Sequence, residues 1–382
     1  MKPGLPVVYF TVFLDLVGFG IILPLLPFYA EAFGATGIWV GAILTAYSAA
    51  QLAGASLLGR LSDRVGRRPV LLMSLAGSAA SLLLCGLARS LWLLLAARAL
   101  AGLFGGSIAA AQAYIADVTT PGERARYMGL LGASIGLGFV FGPALGSALA
   151  RFGFGAAAFA AAALAAANLL FALFRLPETR PAEVRQHGHS RVDWSNFLDA
   201  LHHPAIGRLL AATFLSTLAF VAMEATFALL GEVRFGLDAG RLGFVFAYVG
   251  VVMVIVQGGL VGRLAPRFGE RALATAGALV MGASLAALPL VPSLGAAYVV
   301  LAGLAVGQGL TTPMLATLLS RATDADEQGG TLGLGQSLAA AARAVGPIGA
   351  GWLYDRAVAA PYAASAAAMV LAALLVGTAR TD

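Results

Sequence analysis

The sequence predicts an all-α integral membrane protein with twelve transmembrane helices arranged as two six-helix halves. Only 11% of its 382 residues are charged and 60% are hydrophobic, whereas ordinary soluble domains carry about 25% charged residues. Apolar stretches of about 20 residues, long enough to cross a bilayer as helices, recur along the chain. Six of them precede one polar segment and six follow it.

Small residues are abundant within these stretches. The chain holds 48 glycines, and small residues let helix backbones approach closely in lipid, where no hydrophobic effect drives helices together. A soluble chain of this length needs far more polar surface to cover itself. We therefore expect lipid to be the solvent around most of the protein.

The predicted spans of the first half are 6–30, 38–59, 69–88, 91–115, 125–150 and 154–175. Those of the second half are 206–230, 241–262, 272–290, 294–319, 329–353 and 358–379. A cleaved signal peptide is the alternative for the first span, but the run is long for one and contains Asp15, Pro24 and Pro27. We expect a first half at 1–176, a linker at 177–205 and a second half at 206–382.

Basic residues set the expected orientation. The chain has a net charge of +6, but its arginines do not form the clustered face that nucleic-acid binding needs. If the N-terminus is inside, seventeen of the 24 basic residues lie in cytoplasmic segments and five in the opposite loops. By the positive-inside rule we expect both termini in the cytoplasm and a multi-pass protein of the cell inner membrane. The single cysteine, Cys85, allows no internal disulfide.

The polar segment at 177–205 contains all four histidines of the chain. Histidine clusters can bind metal, but no cysteine joins this one and the segment resembles a solvated linker, so we predict no metal site. Residues 192–201 are compatible with a short amphipathic helix on the membrane surface. The histidines are His187, His189, His202 and His203.

The two halves repeat one another. Gly59-Arg60-Leu61 recurs as Gly262-Arg263-Leu264, and Phe141-Gly142-Pro143 has a counterpart in Val345-Gly346-Pro347, at offsets of 203 and 204 residues. Parallel repeats of six helices around a midplane site are one way of building a transporter.

The loop between the second and third spans carries the most specific motif. Residues 59–71 read Gly-Arg-Leu-Ser-Asp-Arg-Val-Gly-Arg-Arg-Pro-Val-Leu, which resembles the signature loop of the major facilitator superfamily. The resemblance implies a major facilitator fold in which Asp63 helps to hold a cytoplasmic gate shut. The alternative is that the loop only sets topology through its arginines. The residues assigned to the gate and its motifs are Gly59, Asp63, Arg64, Gly66, Arg67, Arg68, Asp117, Glu123 and Arg124.

Two further spans carry motifs of this superfamily. In the fifth span Gly138, Gly142, Pro143 and Gly146 resemble the antiporter motif of drug/proton exchangers, with Ser147 in place of a usual final glycine. Glycines four apart form a smooth groove on one helix face, and an internal proline kinks the helix. The alternative is ordinary small-residue packing.

Arg98 begins Arg98-Ala-Leu-Ala-Gly102 in the fourth span, again similar to a family motif. An arginine within the membrane is costly, so we expect Arg98 to have a partner or a water-filled surface, unless it reaches to the interface. Arg343, in the eleventh span, is a candidate partner for Glu224 or for an anionic part of the substrate.

Asp15 and Glu224 are the carboxylates placed well inside predicted spans. A carboxylate in a low-dielectric site keeps its proton until water or a cation favours release, which is what a proton-coupled carrier requires. We predict Glu224 as the main coupling group, with Asp15 supporting it. The alternative for Asp15 is a structural hydrogen-bonding role near the interface.

Across nearly the whole chain the sequence resembles the tetracycline/multidrug antiporter branch of the superfamily. The resemblance rests also on Met1-Lys2-Pro3, Ala116-Asp117-Val118 and Glu123-Arg124-Ala125-Arg126. The chain departs from tetracycline exporters where those carry an acid, a histidine and a second acid, and this argues against exchange of a tetracycline–metal complex. The three departures are Ser81, Met253 and Met281.

We therefore expect proton-coupled export of a small amphipathic organic compound by a monomer that needs no cofactor beyond the proton gradient. Proton-driven uptake of a sugar, peptide or lipid-like solute is the alternative within transport, and a membrane sensor or embedded enzyme is the alternative outside it. No His-Glu-x-x-His, Gly-x-Ser-x-Gly or phosphate-binding loop occurs, so we do not expect an enzyme. Polar and aromatic residues within apolar spans are the candidates for a substrate cavity: Tyr47, Gln51, Gln112, Tyr114, Asn168, Tyr248, Gln257, Gln308 and Gln336.

Overall fold

The structure, a computed structural model, describes residues 4–178, 203–323 and 328–379. The predicted linker at 177–205, its four histidines and the amphipathic segment 192–201 fall almost entirely outside this part of the chain. The described residues fold into α-helices joined by short turns and contain no β-strand. The predicted all-α class is confirmed.

Among the described residues, eight α-helices precede the linker. They are α1 (Leu5–Ile22), α2 (Leu26–Glu31), α3 (Gly37–Val65), α4 (Arg67–Gly86), α5 (Leu91–Leu103), α6 (Ser107–Val118), α7 (Pro121–Ala150) and α8 (Phe154–Arg175).

Seven α-helices follow among the described residues after the linker. They are α9 (Pro204–Phe235), α10 (Ala239–Ile255), α11 (Val261–Phe268), α12 (Glu270–Ala287), α13 (Leu294–Arg321), α14 (Gln328–Arg356) and α15 (Ala360–Thr378). A π-helical turn at Val256–Leu260 joins α10 to α11, and a 3₁₀ turn at Leu288–Leu290 extends α12.

Within the described residues, eleven helical segments are long and apolar enough to cross a membrane. Helix α14 is also long, with 29 residues, and it occupies the place of the predicted eleventh span. Many large apolar side chains point outward, such as Phe174 at 80% exposure and Val299 at 72%. A surface of this kind suits lipid, because exposing large apolar side chains to water is unfavourable.

Two predicted spans are broken in the structure. The first is interrupted between α1 and α2, beside Pro24, whose ring removes a backbone donor from a helix. The fourth is interrupted between α5 and α6, at Phe104–Gly106, where two consecutive glycines carry the lowest helix propensity after proline. Each break leaves backbone groups that need partners in a membrane.

The internal repeat is visible in how equivalent helices begin. Ser90 caps α5 by accepting a hydrogen bond from the amide of Leu93, and Ser293 caps α13 by accepting one from the amide of Ala296, both at 3.3 Å. Gly66 precedes α4 with φ of 108°, and its counterpart before α12 is a glycine with φ of 80°. A side chain is strained at such φ values, so the same backbone turn requires glycine in both places.

The chain divides into two compact units. The first comprises Met1–Ala35, Ala46–Ser190 and Asp238–Ala247, and the second comprises Thr36–Thr45, Arg191–Leu237 and Tyr248–Asp382. In the first, an apolar core includes Leu5, Leu71 and Tyr114. In the second, the core includes Leu209, Ala274 and Leu315. The division at 177–205 stays a prediction.

Candidate functional site

Asp15 is the eleventh of the 18 residues of α1 and is partly buried. The hydroxyl of Ser107, at the start of α6, donates to its Oδ2 at 2.6 Å, and the side chain of Ser78 in α4 is a second hydrogen-bond partner. Helix α6 begins just after the break at Phe104–Gly106, so this break brings Ser107 to the carboxyl group. Asp15 therefore sits where three helices of the first unit meet.

Arg67 and Arg68, at the end of the signature loop, form a dense network in the first unit. The Nε of Arg67 pairs with Oδ2 of Asp117 at 2.8 Å, and its Nη1 donates to Ser62 Oγ at 3.1 Å. Nη2 of Arg68 donates to the carbonyl oxygen of Leu173 at 2.7 Å. Arg67 is only 9% exposed, so its charge is held inside the protein by a carboxylate partner.

Glu178 completes this network from just beyond the end of α8. Its carboxylate accepts hydrogen bonds from the backbone amides of Arg67, at 3.0 Å, and Arg68, at 3.2 Å. These amides open α4, where a negative charge is favoured by the helix dipole and by the unpaired donors. A side chain at Gly66 would run into the Glu178 carboxylate, so the glycine also clears space for this cap.

The other members of the signature loop cannot be placed in this network. Gly59, Asp63 and Arg64 belong to α3, and Glu123 and Arg124 to α7, but their side chains lie outside the part of the chain that the structure describes. The role of Asp63 at a gate stays a prediction.

Glu224 lies in α9, 20 residues after its first residue, or about 30 Å along the helix axis. It is partly buried. Arg343 of α14 is close enough to interact with it electrostatically. The second unit therefore holds a carboxylate and a guanidinium near one another within predicted spans.

Arg98, in α5, is 3% exposed. Its guanidinium carbon lies 5.7 Å from the centre of the Tyr47 ring in α3. Gln51, one turn further along α3, donates to the Tyr47 hydroxyl at 3.2 Å and to the carbonyl oxygen of Gly105 at 3.3 Å. The second bond satisfies a carbonyl at the break between α5 and α6. With so little exposure, the Arg98 side chain is enclosed by protein.

The glycines of the fifth-span motif face α1. A Cβ at Gly142 would lie 2.7 Å from the Cα of Gly20, and Gly138 and Gly146 meet Leu16 and Ile21 in the same way. Pro143 lies inside α7. The backbones of α7 and α1 are therefore in contact along this row of glycines.

The remaining cavity candidates have different surroundings. Tyr114 is fully buried in the core of the first unit, and Asn168, also buried, donates to the carbonyl oxygen of Thr11 at 2.8 Å. Tyr248 packs edge-on against Tyr298 with ring centres 5.0 Å apart. Gln308 is 8% exposed and its Oε1 has no hydrogen-bond partner among the described residues. The three exposed candidates are Gln112, Gln257 (on the π-helical turn) and Gln336.

One acidic residue missed by the sequence analysis is Asp355, near the end of α14. Its Oδ1 accepts from the amide of Gly37 at 2.7 Å and its Oδ2 from the amide of Ile38 at 2.9 Å. These are the first amides of α3, so Asp355 caps that helix within the second unit. Ser107, Glu178 and Tyr298 were missed as well.

No group of three or more histidine, cysteine or acidic side chains suited to a metal ion occurs within residues 4–178, 203–323 and 328–379.

Comparison with known proteins identifies the class. The family model of the Major Facilitator Superfamily matches residues 8–347 and 260–381. The chain belongs to this superfamily of transporters, and the predicted fold and family are confirmed. It is accordingly a multi-pass membrane protein that carries small molecules and is not an enzyme.

Individual relatives show which members of the superfamily the chain is similar to. The chain is 34% identical over 380 residues to the tetracycline resistance protein, class C, of Escherichia coli, covering 98% of this chain and 94% of the relative. It is 28% identical to multidrug resistance protein 2 of Bacillus subtilis, covering 90% and 87%. The crystal structure of the human organic anion transporter MFSD10 (TETRAN) matches with a TM-score of 0.73 and 28% identity over 98% of both chains.

Proposed function

We propose that the protein is a proton-coupled exporter of a small amphipathic organic compound. It acts as a monomer in the cell inner membrane with both termini in the cytoplasm. It needs no cofactor, because the proton gradient supplies the energy.

The observation that carries this proposal is the proximity of Arg343 to Glu224 within predicted spans. A carboxylate far from bulk water is costly unless it is protonated, paired or hydrated. A guanidinium nearby favours the ionised form, and its withdrawal or the loss of water favours the protonated form. A conformational change that alters either condition makes Glu224 take up or release a proton. Asp15, held by two serine side chains, is the supporting group in the first unit.

Export is supported by the kind of relatives the chain has. Proteins described as tetracycline resistance and multidrug resistance proteins align over most of their length, and the fifth span carries the glycines typical of exchangers. Tetracycline–metal exchange is not proposed, because apolar or neutral residues replace the expected acids. Two of these replacements, Ser81 and Met281, are fully buried.

The experiment uses purified protein in proteoliposomes with an imposed pH gradient and a panel of amphipathic compounds. Wild-type protein should accumulate a compound against its concentration gradient. Glu224→Gln should lose this accumulation but keep downhill exchange, because glutamine imitates the protonated form and releases no proton. The matched control is Glu232→Gln, on the same helix but exposed, which should transport normally. Uphill transport that survives in Glu224→Gln would contradict the assignment.

A further inference from the structure

Arg98 is a buried cation with no counter-charge among the residues that the structure describes. Its Nε is buried without a hydrogen-bond partner, and its one recorded contact is with the ring of Tyr47. Within the described part of the chain, no carboxylate lies within 4 Å of its guanidinium. An enclosed charge of this kind is expensive, whereas a paired one is much less so.

Three acids of the first unit have other partners. Asp15 is held by serine side chains, Asp117 pairs with Arg67, and Glu178 caps α4. Asp63 belongs to the same helix as Tyr47 but comes 16 residues later, about 24 Å along the axis. Among the acidic side chains that the structure describes, none therefore neutralises Arg98, and we take its charge to be open to a ligand.

The surroundings of Arg98 suit an aromatic or apolar molecule. The Tyr47 ring, which faces the guanidinium, also packs against Phe19 of α1 with ring centres 4.9 Å apart. Phe19 in turn meets Phe139 of α7 edge-on at 6.2 Å, and Phe139 is 38% exposed. A series of aromatic contacts thus connects the cation to a partly exposed ring.

We propose that Arg98 binds the anionic group of the transported compound while Tyr47 and Phe19 contact its aromatic or apolar body. The substrate class is then an amphipathic organic anion, such as an aromatic carboxylate. A planar guanidinium suits this task because it can donate two parallel hydrogen bonds to a carboxylate. The inference rests on the proposed function in assuming that a small amphipathic compound is carried.

Binding tests the inference without a proton gradient. Purified protein in detergent is titrated with aromatic carboxylates, each matched with its primary amide, and stabilisation against heat is measured. Wild-type protein should bind at least one carboxylate at least tenfold more tightly than its amide. Arg98→Gln should weaken carboxylate binding by about 30-fold or more, as expected for loss of a buried charge partner. Arg98→Lys should keep the preference with reduced affinity, and exposed Arg89→Gln should change nothing.

The stability of the empty protein separates binding from a structural role. Removing an uncompensated buried charge should leave the unfolding midpoint of Arg98→Gln equal to or above that of wild type. A structural arginine would instead give a lower midpoint. Equal wild-type affinity for every carboxylate and its amide would overturn the inference, and so would a carboxylate preference that persists in Arg98→Gln. The wild-type comparison decides the matter even if Arg98→Gln does not fold.

These outcomes are distinct from those of the proposed function. Carboxylate binding at Arg98 without gradient-driven transport would refute proton-coupled export and leave the anion site standing. Proton-driven export of neutral compounds, with no preference for carboxylates, would support proton-coupled export and overturn the anion site.

Discussion

Replacing Gly142 by alanine should weaken the packing of α7 against α1. The added Cβ would lie 2.7 Å from the Cα of Gly20, 2.9 Å from the carbonyl oxygen of Val17 and 3.0 Å from the carbonyl carbon of Gly20. All three neighbours are backbone atoms, so no side chain can rotate away. The helices must separate locally or the backbone must bend.

The change in unfolding free energy caused by Gly142→Ala is the sum of two opposing effects. Overpacking costs about 1–3 kcal/mol of unfolding free energy, and contact with backbone favours the upper half of that range. Alanine in place of glycine within a helix returns about 1 kcal/mol. Gly129, earlier in the same helix, has open space around its added Cβ. Gly129→Ala therefore gains the helix propensity of alanine without a steric clash. The difference in unfolding free energy between the two variants then measures the cost of the clash alone.

The assay is reversible unfolding in mixed micelles, followed by circular dichroism, with both variants measured beside wild type. Gly129→Ala should be as stable as wild type or slightly more so, and Gly142→Ala should be less stable than Gly129→Ala by about 2–3 kcal/mol. If both variants have the same unfolding free energy, the close approach of α1 and α7 is not what the geometry indicates.

Three other perturbations test separate features. Asp117→Asn should destabilise the protein by about 1–3 kcal/mol, because it leaves the buried Arg67 without its charged acceptor; an unchanged unfolding midpoint would contradict the pairing. Asp355→Ala should cost about 1 kcal/mol by uncapping α3, and Asp355→Asn should cost less because it retains one acceptor oxygen; equal losses in the two variants would argue against a capping role. A single cysteine at Ser190, in a Cys85→Ser background, should resist an impermeant maleimide added outside intact cells; labelling from outside would overturn the predicted topology.

The fold was largely predictable because lipid imposes a simple rule. Every spanning segment must satisfy its own backbone, so apolar length alone locates the helices. Interruptions within a span were harder to predict. Pro24 was visible in the first span and the Gly105-Gly106 pair in the fourth, yet many membrane helices tolerate such residues when neighbours supply hydrogen bonds. Here Gln51 does so for Gly105 from another helix, a contact that depends on tertiary packing.

The candidate site was predictable where a charge lies inside an apolar run. Glu224, Asp15, Arg98 and Arg343 stood out for that reason, and their roles in transport stay predictions. Glu178 did not stand out, because a carboxylate just past a span resembles any solvated linker residue. Its partners, the amides of Arg67 and Arg68, come more than 100 positions earlier, and no local pattern reports a contact of that separation.

The cap on α3 also bears on how the chain is made. Gly37 and its capping residue Asp355 are separated by 318 positions, so the ribosome must complete nearly the whole polypeptide before they can meet. During synthesis the first amides of α3 have to rely on water or lipid headgroups. A chain that stops short of α14 leaves them in that condition permanently. Products truncated before α14 should therefore have a less stable start of α3 than the complete chain.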